Sequence, residues 1–172
     1  VLWPRVTGKK KDPDAMRDAL KKAHVVFVSG GDVEEGMRVL TELDLVGAVR
    51  ASAKRGAVCV GISAGAIMLG DRWIRWPHAK ATDDEAETFD CLEIAPVTLD
   101  THGEKDGWGE IRSYVAVRAR ETKKTVTGYG IPSGGCLRVT QNAHVSAHGE
   151  PAQAFRAKPG ATAEALDDVP AR

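Results

Sequence analysis

The chain has no excess of charge of either sign: 24 Lys plus Arg stand against 24 Asp plus Glu in 172 residues. A phosphate backbone is attracted by basic surplus, so nucleic acid is not an expected partner. No apolar run approaches the roughly 18 residues that cross a bilayer, and no signal peptide is recognisable. The expectation is a cytoplasmic protein with no membrane partner. Cysteine is scarce: Cys59, Cys91 and Cys136 are odd in number, far apart and form no C-x-x-C pair. That argues against a zinc site and fits a reduced compartment. Cys59, inside "AVCVG", reads as a small buried hydrophobe. Repeats and low-complexity segments are missing too. So is an initiating methionine: the chain opens "VLWPRVTGKKKDP", as if within a strand, the pattern expected of a fragment or a processed chain.

What is present is an ordinary globular balance, 42% hydrophobic and 28% charged at 18.4 kDa, which suits one domain. We place it at residues 1–160, with a loosely held tail at 161–172. "VLWPRVT" reads as a strand. Asp12-Pro13 starts a helix, since Asp caps well and Pro suits the first helical position. "HVVFVSGG" and "AVCVG" read as strands buried on both faces. "DVEEGMRVLTEL", "LVGAVRASAKRG", "AGAIMLG" and "DGWGEIRSYVAVRAR" read as helices. "RWIRW" alternates as a strand, and "PHAKATDDEAET" is a polar, acidic loop. A third buried strand ends near Asp100 and His102, and hairpins follow from about residue 125. Strands alternating with helices predict a three-layer α/β/α sandwich with a mostly parallel sheet. Sites on such sheets lie at the carboxyl ends of the strands. There stand "SGGD", "GISAG" and "DTHGE".

"GISAG" puts Ser63 between two glycines where a strand turns into a helix. A serine hydroxyl is a weak nucleophile, and needs a base within reach and donors for the developing oxyanion. A tight strand-to-helix turn exposes the hydroxyl and aims the next amide, that of Ala64, into the site. A packing turn with an incidental serine is the plain alternative. His102 follows the third buried strand at the same edge and is the candidate base. His24 lies at the opposite edge, His144 and His148 lie among the hairpins, and His78 in the acidic loop stays open. Gly31 of "SGGD", with Gly30 next, is the second candidate oxyanion donor, beside Asp32 as helix cap. A carboxylate to orient the imidazole is available from Asp83, Asp84, Glu85, Glu87, Asp90 or Asp100. Base and oxyanion donors suffice for the chemistry, so no metal or cofactor is expected.

In this order "VFVSGGD", "RGAVCVGISAGAIMLG", "FDCLEIAPVTLDTHGE" and "GYGIPSGGCLRVT…HVSAHG" resemble the serine peptidases of the dipeptidase E and cyanophycinase family, which share the class I glutamine-amidotransferase-like (flavodoxin-like) fold. The resemblance covers about residues 20–158. It implies Ser63 as nucleophile, His102 as base, and an acid in the loop between them. Asp84 is the first choice, with Asp83 and Glu85 behind it. The chain departs from the family in two ways: Ser133 stands in "GIPSGG" where members carry an acidic residue, and a further N-terminal strand and helix are missing. The resemblance also implies a small, acidic peptide as substrate. Arg72 and Arg75 of "DRWIRW" are candidate carboxylate binders. Trp73 and Trp76 suit packing, and Trp108 suits a wall beside His102. A homodimer is a candidate assembly. Three rivals remain. An α/β-hydrolase esterase would need more chain between Ser63 and His102. A glutamine amidotransferase would need cysteine at the elbow. A non-catalytic binding module on the same fold would not react with a fluorophosphonate.

Overall fold

The computed structural model describes residues 12–171, so the strand expected at "VLWPRVT" lies outside the described residues. Helix α1 (Pro13–Lys22) begins as its sequence dictates, with Asp12 accepting from the Ala15 amide and proline in the first turn. Strand β1 (Val25–Val28) follows, then α2 (Val33–Glu42), capped by Asp32, then α3 (Val46–Lys54). Strand β2 (Val58–Gly61) runs into the short helix α4 (Ala64–Met68). Next come β3 (Arg72–Arg75), β4 (Glu87–Asp90), β5 (Thr98–Thr101) and α5 (Gly109–Thr122). The chain ends in β6 (Val126–Ile131), β7 (Gly135–Val139), β8 (Val145–Gly149), β9 (Gln153–Ala157) and β10 (Glu164–Ala165).

The fold is mixed α/β. β1 and β2 pair in parallel, and so do β5 and β6; the remaining strand pairs are antiparallel. β5 belongs to a four-stranded sheet of order β10-β9-β6-β5, separate from the β1-β2 pair among the described residues. Helix α4 spans the division, packing on β1, β2 and β5. β4, which begins inside the stretch expected as loop, pairs with β3 and sets Trp73 opposite Phe89. The expected loose tail is partly pinned: β10 pairs with β9, and Val169 bridges to Ala152.

The core gathers around α5. Ile111, Tyr114, Val115 and Ala119 fall at helical spacing and are buried, against β6 and β9. Trp73 stacks on Tyr114 at 5.7 Å. The first two strands depart from expectation. Val26 is buried, but Val25, Phe27, Val58 and Val60 are exposed. The register pairs Val25 with Val58 and Phe27 with Val60. Alternating side chains of the paired strands thus form one outward apolar face, and only the inward face is buried against the core. No helix among the described residues is long and apolar enough to cross a membrane.

Candidate active site

Ser63 occupies the turn between β2 and α4 with φ 53° and ψ −131°. This is a left-handed, sparsely populated conformation for a residue with a side chain. Its hydroxyl does not cap α4. The flanking glycines are needed because backbone passes where side chains would be. A Cβ at Gly61 would overlap the backbone of Gly65 and Ala66, and one at Gly65 would strike the carbonyls of Val28 and Ser29. The helix therefore starts hard against the end of β1. There a Cβ on Gly30 would lie 3.1 Å from Ser63 Cβ. Ser63 opens on a cavity of about 480 Å³ whose lining includes Gly31, Ala64, Arg75, Trp76 and Asp100. Gly31 and Ala64, the two expected oxyanion donors, thus line the cavity onto which Ser63 opens, while Asp32 caps α2 through the Glu35 amide at 2.7 Å.

His102 stands just past β5, also at positive φ (65°), with its amide donating to Ile131. It lines a second cavity of about 560 Å³. Asp100, Thr101, Trp76, His78 and Glu110 line both cavities, which therefore adjoin. No hydrogen bond joins Ser63 to His102 among the described residues. The imidazole Nδ1 instead lies 3.5 Å from Ser133 Oγ. Trp108 is buried beneath this loop. It faces Gly103, Gly130 and Phe155, and its amide donates to the Gly103 carbonyl. It supports the loop from the core side.

The acids between Ser63 and His102 are engaged elsewhere. Asp84 pairs with Arg120 at 2.5 Å and its side chain is 86% exposed. Asp83 accepts from Trp76 Nε1, and its carbonyl accepts from Arg120. Glu85 accepts from Thr82 and faces His78. Arg120 sits in the last turn of α5, roughly 16 Å along the helix from the end that follows the His102 loop. Among the described residues none of Asp84, Asp83 and Glu85 has a hydrogen bond or ion pair to His102. Arg75 reaches the Ser63 cavity, where Glu34 and Glu87 clamp its guanidinium at 2.8 and 3.0 Å. Arg72 lies outside that lining, spent on Asp90 and the Thr88 carbonyl.

The model of Peptidase family S51 matches residues 4–146. This chain belongs to Peptidase family S51. Among the relatives of this S51 member is Peptidase E of Salmonella gallinarum, 28% identical over 183 residues, covering 98% of this chain and 73% of the relative. Another is Peptidase E of Salmonella typhimurium, 27% identical over 177 residues, covering 96% and 72%. A crystal structure of a peptidase from an acI-B1 Actinobacterium superposes with a TM-score of 0.59 at 17% identity, over 88% of this chain and 63% of that one. That likeness shows the fold, and the S51 chain spans less than two thirds of that neighbour's length.

Two carboxylates of this S51 chain complete the lining between Ser63 and His102. Asp100 is 6% exposed, and burial pushes its carboxyl up to about 6, against the pull of the Thr101 amide. Glu110 is also raised, first by burial and then by Asp106 and Asp32. Glu110 had no signal in the sequence beyond its place in the first turn of a helix after the His102 loop. Among the described residues no group of His, Cys, Asp and Glu is disposed to hold a metal ion.

Proposed function

We propose that this S51 member is a serine peptidase that cleaves short peptides through an acyl-enzyme, on a three-layer sandwich of the class I glutamine-amidotransferase-like kind. The observation that carries the reading is Ser63: a strained strand-to-helix turn that opens its hydroxyl onto a cavity. In this reading the hydroxyl attacks the scissile carbonyl while a His102 ring nitrogen removes its proton. The amides of Gly31 and Ala64 hold the oxyanion. His102 then protonates the departing amine, and water resolves the ester by the reverse route. The two cavities adjoin without a Ser63–His102 hydrogen bond, so substrate must draw the pair together; such contacts tighten in the Michaelis complex. Arg75 is the cation at the mouth of the site, and a substrate carboxylate competing for it with Glu34 and Glu87 gives the preference for acidic peptides.

The test is labelling and kinetics together. A fluorophosphonate should label Ser63, and aspartyl dipeptides should be hydrolysed. Ser63→Ala and His102→Ala should each cost on the order of 10³-fold or more in kcat, and the double variant little beyond that, because the residues act as one unit. A chain that neither labels nor turns over aspartyl dipeptides is a binding module. That no hydrogen bond joins Ser63 to His102 among the described residues is the observation that favours that second reading.

A further inference from the structure

We propose that the partner orienting His102 is a two-residue relay, Ser133 backed by Glu104, in place of a carboxylate from the loop between nucleophile and base. This rests on the peptidase reading above. Ser133 follows β6, whose last residue, Ile131, accepts from the His102 amide. That pairing brings the hydroxyl to 3.5 Å from His102 Nδ1. Glu104, two residues beyond His102, closes the arrangement from the other side: its Oε1 accepts from the Ser133 amide at 2.5 Å. Its carboxyl is held below the ordinary carboxylate range, first by that amide, with smaller contributions from the Ser133 hydroxyl and from His102. The hydroxyl is thus placed to accept from Nδ1–H and to donate to Glu104.

The chemistry balances without moving a proton along the relay. His102 Nε2 takes the Ser63 proton, Nδ1–H stays on the ring, and Ser133 keeps its own hydrogen. Glu104 stays ionised and opposes the positive charge that forms on the imidazole. The hydroxyl fixes the tautomer and the carboxylate supplies the charge, tasks that one acidic side chain performs in a standard triad. Asp100, Asp106 and Glu110 also line the cavity of His102. None of the three has a hydrogen bond to its ring among the described residues, so the relay is the arrangement that sets ring orientation.

Glu104→Gln and Ser133→Ala test the relay, with two readouts on the whole chain. In kinetics each variant lowers kcat about tenfold, the scale of losing one charge-assisted hydrogen bond at an exposed site, and leaves KM within about twofold. Adding Ser133→Glu to Glu104→Gln restores kcat to within about threefold. In ¹⁵N NMR the neutral His102 ring is the Nδ1–H tautomer in the parent chain and shifts toward Nε2–H in both variants. The NMR readout needs no turnover, so it decides the relay even where the peptidase reading fails on labelling and kinetics. An unchanged tautomer in both variants overturns the relay. So does a larger loss of kcat in Asp84→Asn than in Glu104→Gln.

Discussion

Replacing Ser63 by glycine and by alanine separates the cost of its backbone from the chemistry proposed for its hydroxyl. Both variants lack the hydroxyl, so on the peptidase reading neither should be labelled by a fluorophosphonate and both should lose kcat alike. They differ in the turn. At φ 53° and ψ −131° alanine keeps the strain, which is about 1–3 kcal/mol for a residue held in such a region. Glycine removes it, and loses about 1 kcal/mol through the greater freedom of the unfolded chain. The difference leaves Ser63→Gly more stable than Ser63→Ala by about 1 kcal/mol. For a chain of this size that is about 2–4 °C in Tm. Thermal unfolding followed by circular dichroism, with urea titration as a second measure, reads it directly. An alanine variant more stable than the glycine one would mean that the turn is relaxed, and would refute a strained elbow.

Two further predictions concern the same region. Gly65→Ala places a methyl group against the Val28 and Ser29 carbonyls. It should cost about 3 kcal/mol, the upper end of overpacking because the obstacle is backbone, and should slow Ser63 labelling. Parent-like urea stability would refute the close approach. Asp100, raised from 3.8 to about 6, binds its proton more tightly folded than unfolded, so its contribution is present below about pH 4 and is lost as pH rises toward 6 and above. The loss is up to about 3 kcal/mol. Relative to Asp100→Asn, the parent chain should therefore lose stability between pH 4 and pH 7; parallel pH profiles for the two would contradict the burial argument.

The parts legible in the sequence were those coded by neighbours in the chain. Ser63 between Gly61 and Gly65 marks its own turn, Asp12 and Asp32 mark helix starts, and His102 is placed by the end of an apolar strand. Tertiary pairing escaped. Nothing local says that Asp84 will be taken by Arg120, because that arginine lies on a helix more than 30 residues away. Nothing local says that Ser133 will return beside His102; that follows from β6 pairing with β5. The first half of "ETFD" reads as loop because its strand character lies in a partner, β3, that sets Trp73 opposite Phe89. The outward face of β1 and β2 also escaped, since an apolar run alone does not say which of its sides meets the core.

Among the described residues no strand pairing joins the β1-β2 pair to the sheet of β5, and this makes the spacing between Ser63 and His102 a matter of mechanical compliance. Ser63 rides on the β1-β2 pair and His102 on the sheet that contains β5, and α4 packs on both. A hydrogen-bonded ladder fixes the separation of its strands at a nearly constant spacing. Packing between side chains yields instead in proportion to the volume it encloses. The gap between Ser63 and His102 is therefore set by the girth of a few residues, Ile67, Met68 and Leu99 among them, all buried in one cluster. Trimming one of them would move Ser63 and His102 relative to each other without touching either. On the proposed peptidase reading, the reach of the chemistry is tuned from the oil beneath it.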